Sequence, residues 1–196
     1  MDVIGTEREA YATFLQDYPD YVGTAVLDDL RASDYSRLDD QQHTYLDYTG
    51  AGLYGASQVQ QHAELLNQQI LGNPHSAGLS SSAATSLVEA TRRRVLEYFG
   101  ATDGEYTAVF TANATGALKH VGEGYPFAMG GRLLLTADNH NSVNGIREFA
   151  LAKGARVDYV PLTVPDLRID KHRLEALLDD VEPGHSNLFA FPAQSN

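Results

Sequence analysis

The sequence predicts an α/β fold in which helices pack around a largely parallel sheet, and three observations predict it. Four short segments, TAVFT (107–111), RLLLT (132–136), RVDYV (156–160) and NLFAF (187–191), are apolar and partly β-branched or aromatic, as strands buried in a sheet should be. Helix-patterned stretches separate them, and such alternation favours parallel pairing. Gly100 and Gly154 stand where two of the helices should stop. Ligands of such sheets collect at the carboxyl ends of the strands, so the loops after these segments are where chemistry is expected.

Taken in order, the first forty residues alternate helix-like pieces with turn residues, Tyr11 to Tyr18 ending at Pro19, and residues 1–43 read as an N-terminal helical arm. From Thr44 the pattern becomes regular. A short apolar stretch, TYLDYTGAGLYG, leads to Ser57 as N-cap of a helix whose Val59, Ala63, Leu66 and Ile70 share one face and which ends at Gly72. Asn73-Pro74-His75-Ser76 is a loop by its proline. A second helix runs from about Ser82 to Phe99, with Ala84, Val88, Val95 and Phe99 in line, and its Arg92, Arg93 and Arg94 read as a solvated face. Between the strands, helices are expected from Thr115 to about Val121, from Ser142 to Lys153, and from Asp170 to Val181 with Leu174, Leu177 and Leu178 apolar.

Composition narrows the function. The 196 residues are 43% hydrophobic and 20% charged, the make-up of a globular domain. Twenty-six acidic against 14 basic residues give a formal charge of −12, which repels nucleic acid and anionic membranes. No cysteine is present, so neither a disulfide nor a thiolate metal site is available, and no metal is expected. The N-terminus, MDVIGTEREAYATF, lacks a basic start and an apolar run, no stretch reaches the roughly 20 apolar residues of a membrane span, and a cytoplasmic protein is expected.

Three loops could carry chemistry. Thr111-Ala112-Asn113-Ala114-Thr115-Gly116 leads from a predicted strand straight into a helix. The free N–H groups and positive dipole end of a helix's first turn favour an anion, small residues let the backbone approach it, and Thr115 adds a hydroxyl. A turn of this composition also serves simply to cap its helix. His140, in Asp138-Asn139-His140-Asn141-Ser142, again lies between a strand end and a helix. It could stack on an aromatic cofactor or move a proton, or be an incidental member of a capping loop. Phe191-Pro192-Ala193-Gln194-Ser195-Asn196 follows the last strand, and its Gln and Asn could bond a ligand at the same sheet edge or form a turn. Asp47 and Tyr48 could face a pocket or pack and cap locally, and the sequence favours packing. What favours a shared pocket is that all three loops fall at the carboxyl ends of predicted strands.

The ordered set TYLDYTGAG (44–52), GNPHS (72–76), VFTANATGALK (109–119), DNHNSV (138–143) and FPAQSN (191–196) resembles class V aminotransferases and cysteine desulfurases, and within them the aminotransferase-like domain of molybdenum cofactor sulfurases. The resemblance covers residue 44 to the end. It implies the three-layer α/β/α large domain of a fold type I pyridoxal-phosphate enzyme, with residues 44–196 as its first half, and a homodimer with active sites near the interface. It further implies that Ala114 and Thr115 hold the phosphate of pyridoxal 5'-phosphate, that His140 stacks on the pyridine ring, and that Asn196 reaches the ring hydroxyl with Gln194 nearby. Related sequences often carry His or Asn in place of Tyr48 and an alanine pair in place of Thr49 and Gly50, so the substrate contacts of that loop are not carried over.

In the family, the aspartate facing the ring nitrogen, the lysine that bonds the cofactor and the persulfide cysteine all come after the AQSN-like motif, so the chain is expected to be an amino-terminal fragment, inactive alone. None of Lys119, Lys153 and Lys171 matches the cofactor lysine's setting. The reaction implied is sulfur transfer from a small amino acid, L-cysteine first. An aminotransferase or lyase acting on another amino acid is the alternative within the family. A non-catalytic truncated paralogue that binds a partner or a phosphorylated ligand is the alternative outside it. A nucleotide-binding module would want a G-x-G-x-x-G turn after the first strand, and none occurs there.

Overall fold

The computed structural model describes residues 3–101 and 104–195. The chain divides into two compact units, residues 1–86 and 87–196, with the boundary inside one long helix.

The first unit is helical. Helix α1 (Val3–Asp17) is followed by a 3-10 turn (Pro19–Thr24), α2 (Val26–Asp34), α3 (Arg37–Asp40) and α4 (Ala56–Gln68), and α5 (Leu79–Tyr98) begins at its end. Proline opens the 3-10 turn because its missing N–H falls where no intrahelical partner exists. Helix α4 starts one residue before the predicted Ser57. The Ser57 N–H is capped from a distance, by the Asp34 carboxylate at 2.6 Å, while the Gln58 side chain reaches back to the Gly55 N–H at 2.8 Å. These bonds from Ser57 hold the Asp34 carboxyl below its ordinary pKa. The helix stops at Gln68, short of Gly72, and Ile70, expected on its apolar face, lies 85% exposed. Asp47 does cap locally, accepting from the Gly50 N–H at 3.2 Å, and Tyr48 meets the Tyr45 ring edge-on at 5.1 Å.

The second unit carries the sheet. Strand β1 (Arg132–Thr136) pairs in parallel with β2 (Arg156–Val160) on one side and β5 (Asn187–Ala190) on the other. All five residues of β1 are buried, which is why RLLLT reads as an unbroken apolar run rather than an alternating one. Leu133 and Leu135 face a core of Phe127, Ile146, Ala150 and Ala155, with Leu118 of helix α6 (Ala114–Gly124) packed against it. Leu134 faces the other way, onto Val160 of β2 and Leu177 of helix α9 (Lys171–Asp179). Helices thus cover both faces of a parallel sheet, and the expected three-layer α/β/α arrangement is what forms.

Elsewhere in this unit the boundaries shift. The single helix expected over 142–153 is two, α7 (Asn141–Asn144) and α8 (Ile146–Ala152), broken at Gly145 after a turn of Asn and Ser, which are poor interior helix formers. Gly154 ends α8 and Gly100 follows α5, both at positive φ (79° and 62°), where glycine is unstrained. A short hairpin, β3 (Leu162–Thr163) with β4 (Arg168–Ile169), was not anticipated.

The segment 107–111, expected as the first strand, has no sheet ladder among the described residues. Its Ala108 carbonyl is taken by the Arg92 guanidinium, which also lies over the Phe110 ring at 5.2 Å. Arg92 is therefore a packing residue rather than part of a solvated face.

At the amino end of the sheet, buried Arg132 donates to the Leu177 carbonyl at 2.6 Å and to Asp180 at 2.5 Å. It also makes a charge contact with Asp158 at 3.2 Å. The guanidinium holds the Asp180 carboxyl below its ordinary pKa, by hydrogen bond first and charge attraction second.

Candidate functional site

The site forms where the N-terminus of α6 meets the turn after β1. Asn113 is the N-cap of α6, its side-chain oxygen accepting from the Gly116 N–H at 2.9 Å. That cap satisfies the third N–H of the helix and leaves those of Ala114 and Thr115, which lie ahead of the intrahelical ladder, without a partner among the described residues. No acidic residue lies in the first turn. The donors here, two N–H groups and the Thr115 hydroxyl at the positive end of a three-turn helix, suit a phosphate monoester.

The turn after β1 supplies the rest. Buried Asn139 donates its amide to the Thr136 carbonyl at 3.0 Å, the Thr136 hydroxyl at 3.1 Å and the Ala190 carbonyl at 3.0 Å, pinning the turn to the ends of both β1 and β5. His140 follows, exposed, as the N-cap of α7. Its Nδ1 accepts from the Ser142 N–H at 3.2 Å and lies 3.0 Å from the Ser142 hydroxyl. That hydroxyl is in turn 2.7 Å from the Thr115 hydroxyl. Thr115, Ser142 and His140 therefore form one hydrogen-bonded row between two loops 27 residues apart in sequence.

Beside the row lies an open groove of about 280 Å3, lined by Thr115, Leu118, Lys119, Ser142, Ile146 and Phe149 among others. Two expected residues, Thr115 and His140, are thus brought together, and Ala114 shares the helix start with Thr115. The third loop reaches the same edge, because the Ser195 hydroxyl donates to the Asp138 carbonyl at 3.5 Å. Gln194 is exposed within that loop, and Asn196 lies outside the described residues. The loop before α6 arrives at this edge without the preceding strand that its composition predicts.

Ser142 and Asn139 were missed as site residues. Their only sequence signal is an unbroken polar run, Asp138 to Ser142, soon after a fully buried strand. Of the lysines, Lys119 lines the groove and pairs with Glu123 at 3.4 Å, Lys153 donates to the carbonyls of Glu123 and Tyr125, and Lys171 starts α9.

Class V aminotransferases match this sequence over residues 44–184. The chain belongs to that family. It is 36% identical to the molybdenum cofactor sulfurase of Solanum lycopersicum over 98% of its own length, and 38% identical to that of Oryza sativa subsp. japonica over 87%. The Homo sapiens molybdenum cofactor sulfurase is 36% identical over 89% of the chain. The chain spans about a quarter of the length of the plant relatives it matches, 26% and 23%.

Among solved structures, apo cysteine desulfurase from Thermococcus onnurineus NA1 superposes with a TM-score of 0.67 at 22% identity, covering 86% of this chain and 40% of that one. Cysteine desulfurase CsdA from Escherichia coli gives 0.57 at 24% identity, covering 76% and 37%. These two share the fold.

Proposed function

We propose that this chain supplies the phosphate- and ring-holding part of a pyridoxal-phosphate site in a sulfur transferase of the molybdenum cofactor sulfurase type, with L-cysteine as the sulfur donor. In this reading residues 44–196 are the first half of the cofactor-binding large domain and residues 1–43 an N-terminal arm. The observation that carries it is the meeting of a helix start that keeps the Ala114 and Thr115 N–H groups open with a histidine turn through Thr115 and Ser142, in a chain 36–38% identical to the plant sulfurases.

The Ala114 and Thr115 N–H groups and the Thr115 hydroxyl would bond the cofactor's phosphate, where the helix dipole favours two negative charges. His140, fixed at its Nδ1 edge and exposed on its face, would lie against the ring. Gln194, in the loop that Ser195 ties to Asp138, would approach the ring's substituents from the end of β5, and the family resemblance gives Asn196 the contact to the ring hydroxyl. The cofactor itself supplies an electron sink for the bond broken at the substrate's α-carbon.

The test uses the native protein that contains this sequence. Pyridoxal phosphate is titrated into the apoprotein and followed by its visible absorbance, then L-cysteine is added and alanine measured. Thr115→Ala and His140→Ala should each weaken cofactor binding by about tenfold, the worth of a charge-assisted contact or a well-placed ring. Unchanged binding in both variants would overturn the site. Cofactor binding with turnover of another amino acid, and none of cysteine, would move the reaction to an aminotransferase or lyase.

A further inference from the structure

We infer that Ser142 is a positioning residue: its N–H sets the tautomer of His140, and its hydroxyl holds the edge of that ring and, until an anion binds, ties it to the helix start at Thr115. This rests on the reading of His140 as the ring-contacting residue. A backbone N–H can only donate, so the 3.2 Å bond from the Ser142 N–H means that Nδ1 of His140 presents its lone pair. In the neutral ring the proton then sits on Nε2, the edge turned away from Ser142. With no hydrogen on Nδ1, the Ser142 hydroxyl at 3.0 Å can only donate there, sharing the single lone pair with the Ser142 N–H, and the Thr115 hydroxyl is then assigned as the donor to its oxygen at 2.7 Å.

The row therefore has one direction, from Thr115 through Ser142 to His140. An anion arriving at the start of α6 can draw the Thr115 proton to itself by a simple rotation of that hydroxyl. The Ser142-to-His140 bonds survive this change, so the ring keeps its edge and tautomer while the phosphate contact forms. A single serine thus serves both states, donating to the ring throughout and accepting from Thr115 only until the anion competes.

The experiment is a double-mutant cycle in the intact native protein, read by the dissociation constant of pyridoxal phosphate and by the visible circular dichroism of the bound cofactor. Ser142→Ala keeps the backbone bond and removes only the hydroxyl. It should weaken binding about fivefold, the worth of one hydrogen bond, and change the dichroism. Ser142→Thr, which retains the hydroxyl, should stay within about twofold of the wild type. In a His140→Ala background, Ser142→Ala should add no further loss, because its effect runs through the ring.

The inference is overturned if Ser142→Ala leaves affinity and dichroism unchanged while His140→Ala moves both, or if the two losses add. If His140→Ala and Thr115→Ala are themselves silent, the proposed cofactor site falls and this inference with it.

Discussion

Asn139 shows how much a single side chain can hold together at this sheet edge. Its amide nitrogen serves three acceptors, two on Thr136 and one on Ala190, and the residue is buried, so water cannot replace it. Asn139→Ala leaves carbonyls at the ends of β1 and β5 short of a donor and should cost about 2 kcal/mol of stability. Asn139→Asp should cost more, because it turns negative oxygens toward the same acceptors. Denaturant midpoints of the two variants check this, and equal losses would mean that the amide's donors do not matter. The same lesson applies to Ser142: each residue is unremarkable in the sequence and acquires its role from atoms far along the chain.

At the level of elements, the packing of α6 on α8 sets where the helix start can lie. Gly122 is buried in α6, and a Cβ there would sit 2.6 Å from the Phe149 ring of α8. Gly122→Ala gains helix propensity of up to about 1 kcal/mol but overpacks a tight contact at about 1–3 kcal/mol, so a net loss is expected. In a Phe149→Ala background the same substitution should turn stabilising, since the obstacle is gone. Thermal unfolding of the wild type and the three variants reads the sign directly. The stretch 107–111 shows the converse, a segment with strand composition that lacks a ladder. Strand β1 already has β2 and β5 beside it, the outer sides of β2 and β5 carry no further strand among the described residues, and the Ala108 carbonyl is bonded to Arg92 instead. Composition indicates a preference for extended backbone; whether an edge is free to receive it is a property of the assembled sheet.

Across the whole molecule, acid should remove support from both units at once. Asp34, bonded by Ser57 in the first unit, and Asp180, bonded by Arg132 in the second, are both held below the ordinary carboxylate pKa. A group whose pKa is lowered on folding contributes fully above the unfolded value, about 3.9 for Asp, and loses that contribution as pH falls through the lower folded value. Stability should therefore decline below about pH 4. Asp180→Asn should be less stable than the wild type near neutrality and show a flatter acid limb, measured as unfolding midpoints between neutral pH and pH near 3. An acid limb as steep as the wild type's would exclude Asp180 as a contributor.

The sequence by itself determined the elements whose signals are local. RLLLT and RVDYV are β1 and β2 residue for residue, and NLFAF loses only Phe191. Gly100 and Gly154 mark helix ends because only their backbone reaches positive φ cheaply, and Asp170, expected as the first residue of its helix, is the N-cap of α9. Ordered motifs also placed the chain in its family, since several short matches in sequence order are unlikely to coincide. The tertiary structure decided what depends on partners distant in the chain: that 107–111 joins no ladder among the described residues, that Ser57 is capped from Asp34, that Asn139 reaches Ala190 51 residues further on, and that Ser142 links Thr115 to His140. Periodicity and propensity act over a turn or two, whereas these bonds exist only after packing has brought separate segments to one sheet edge.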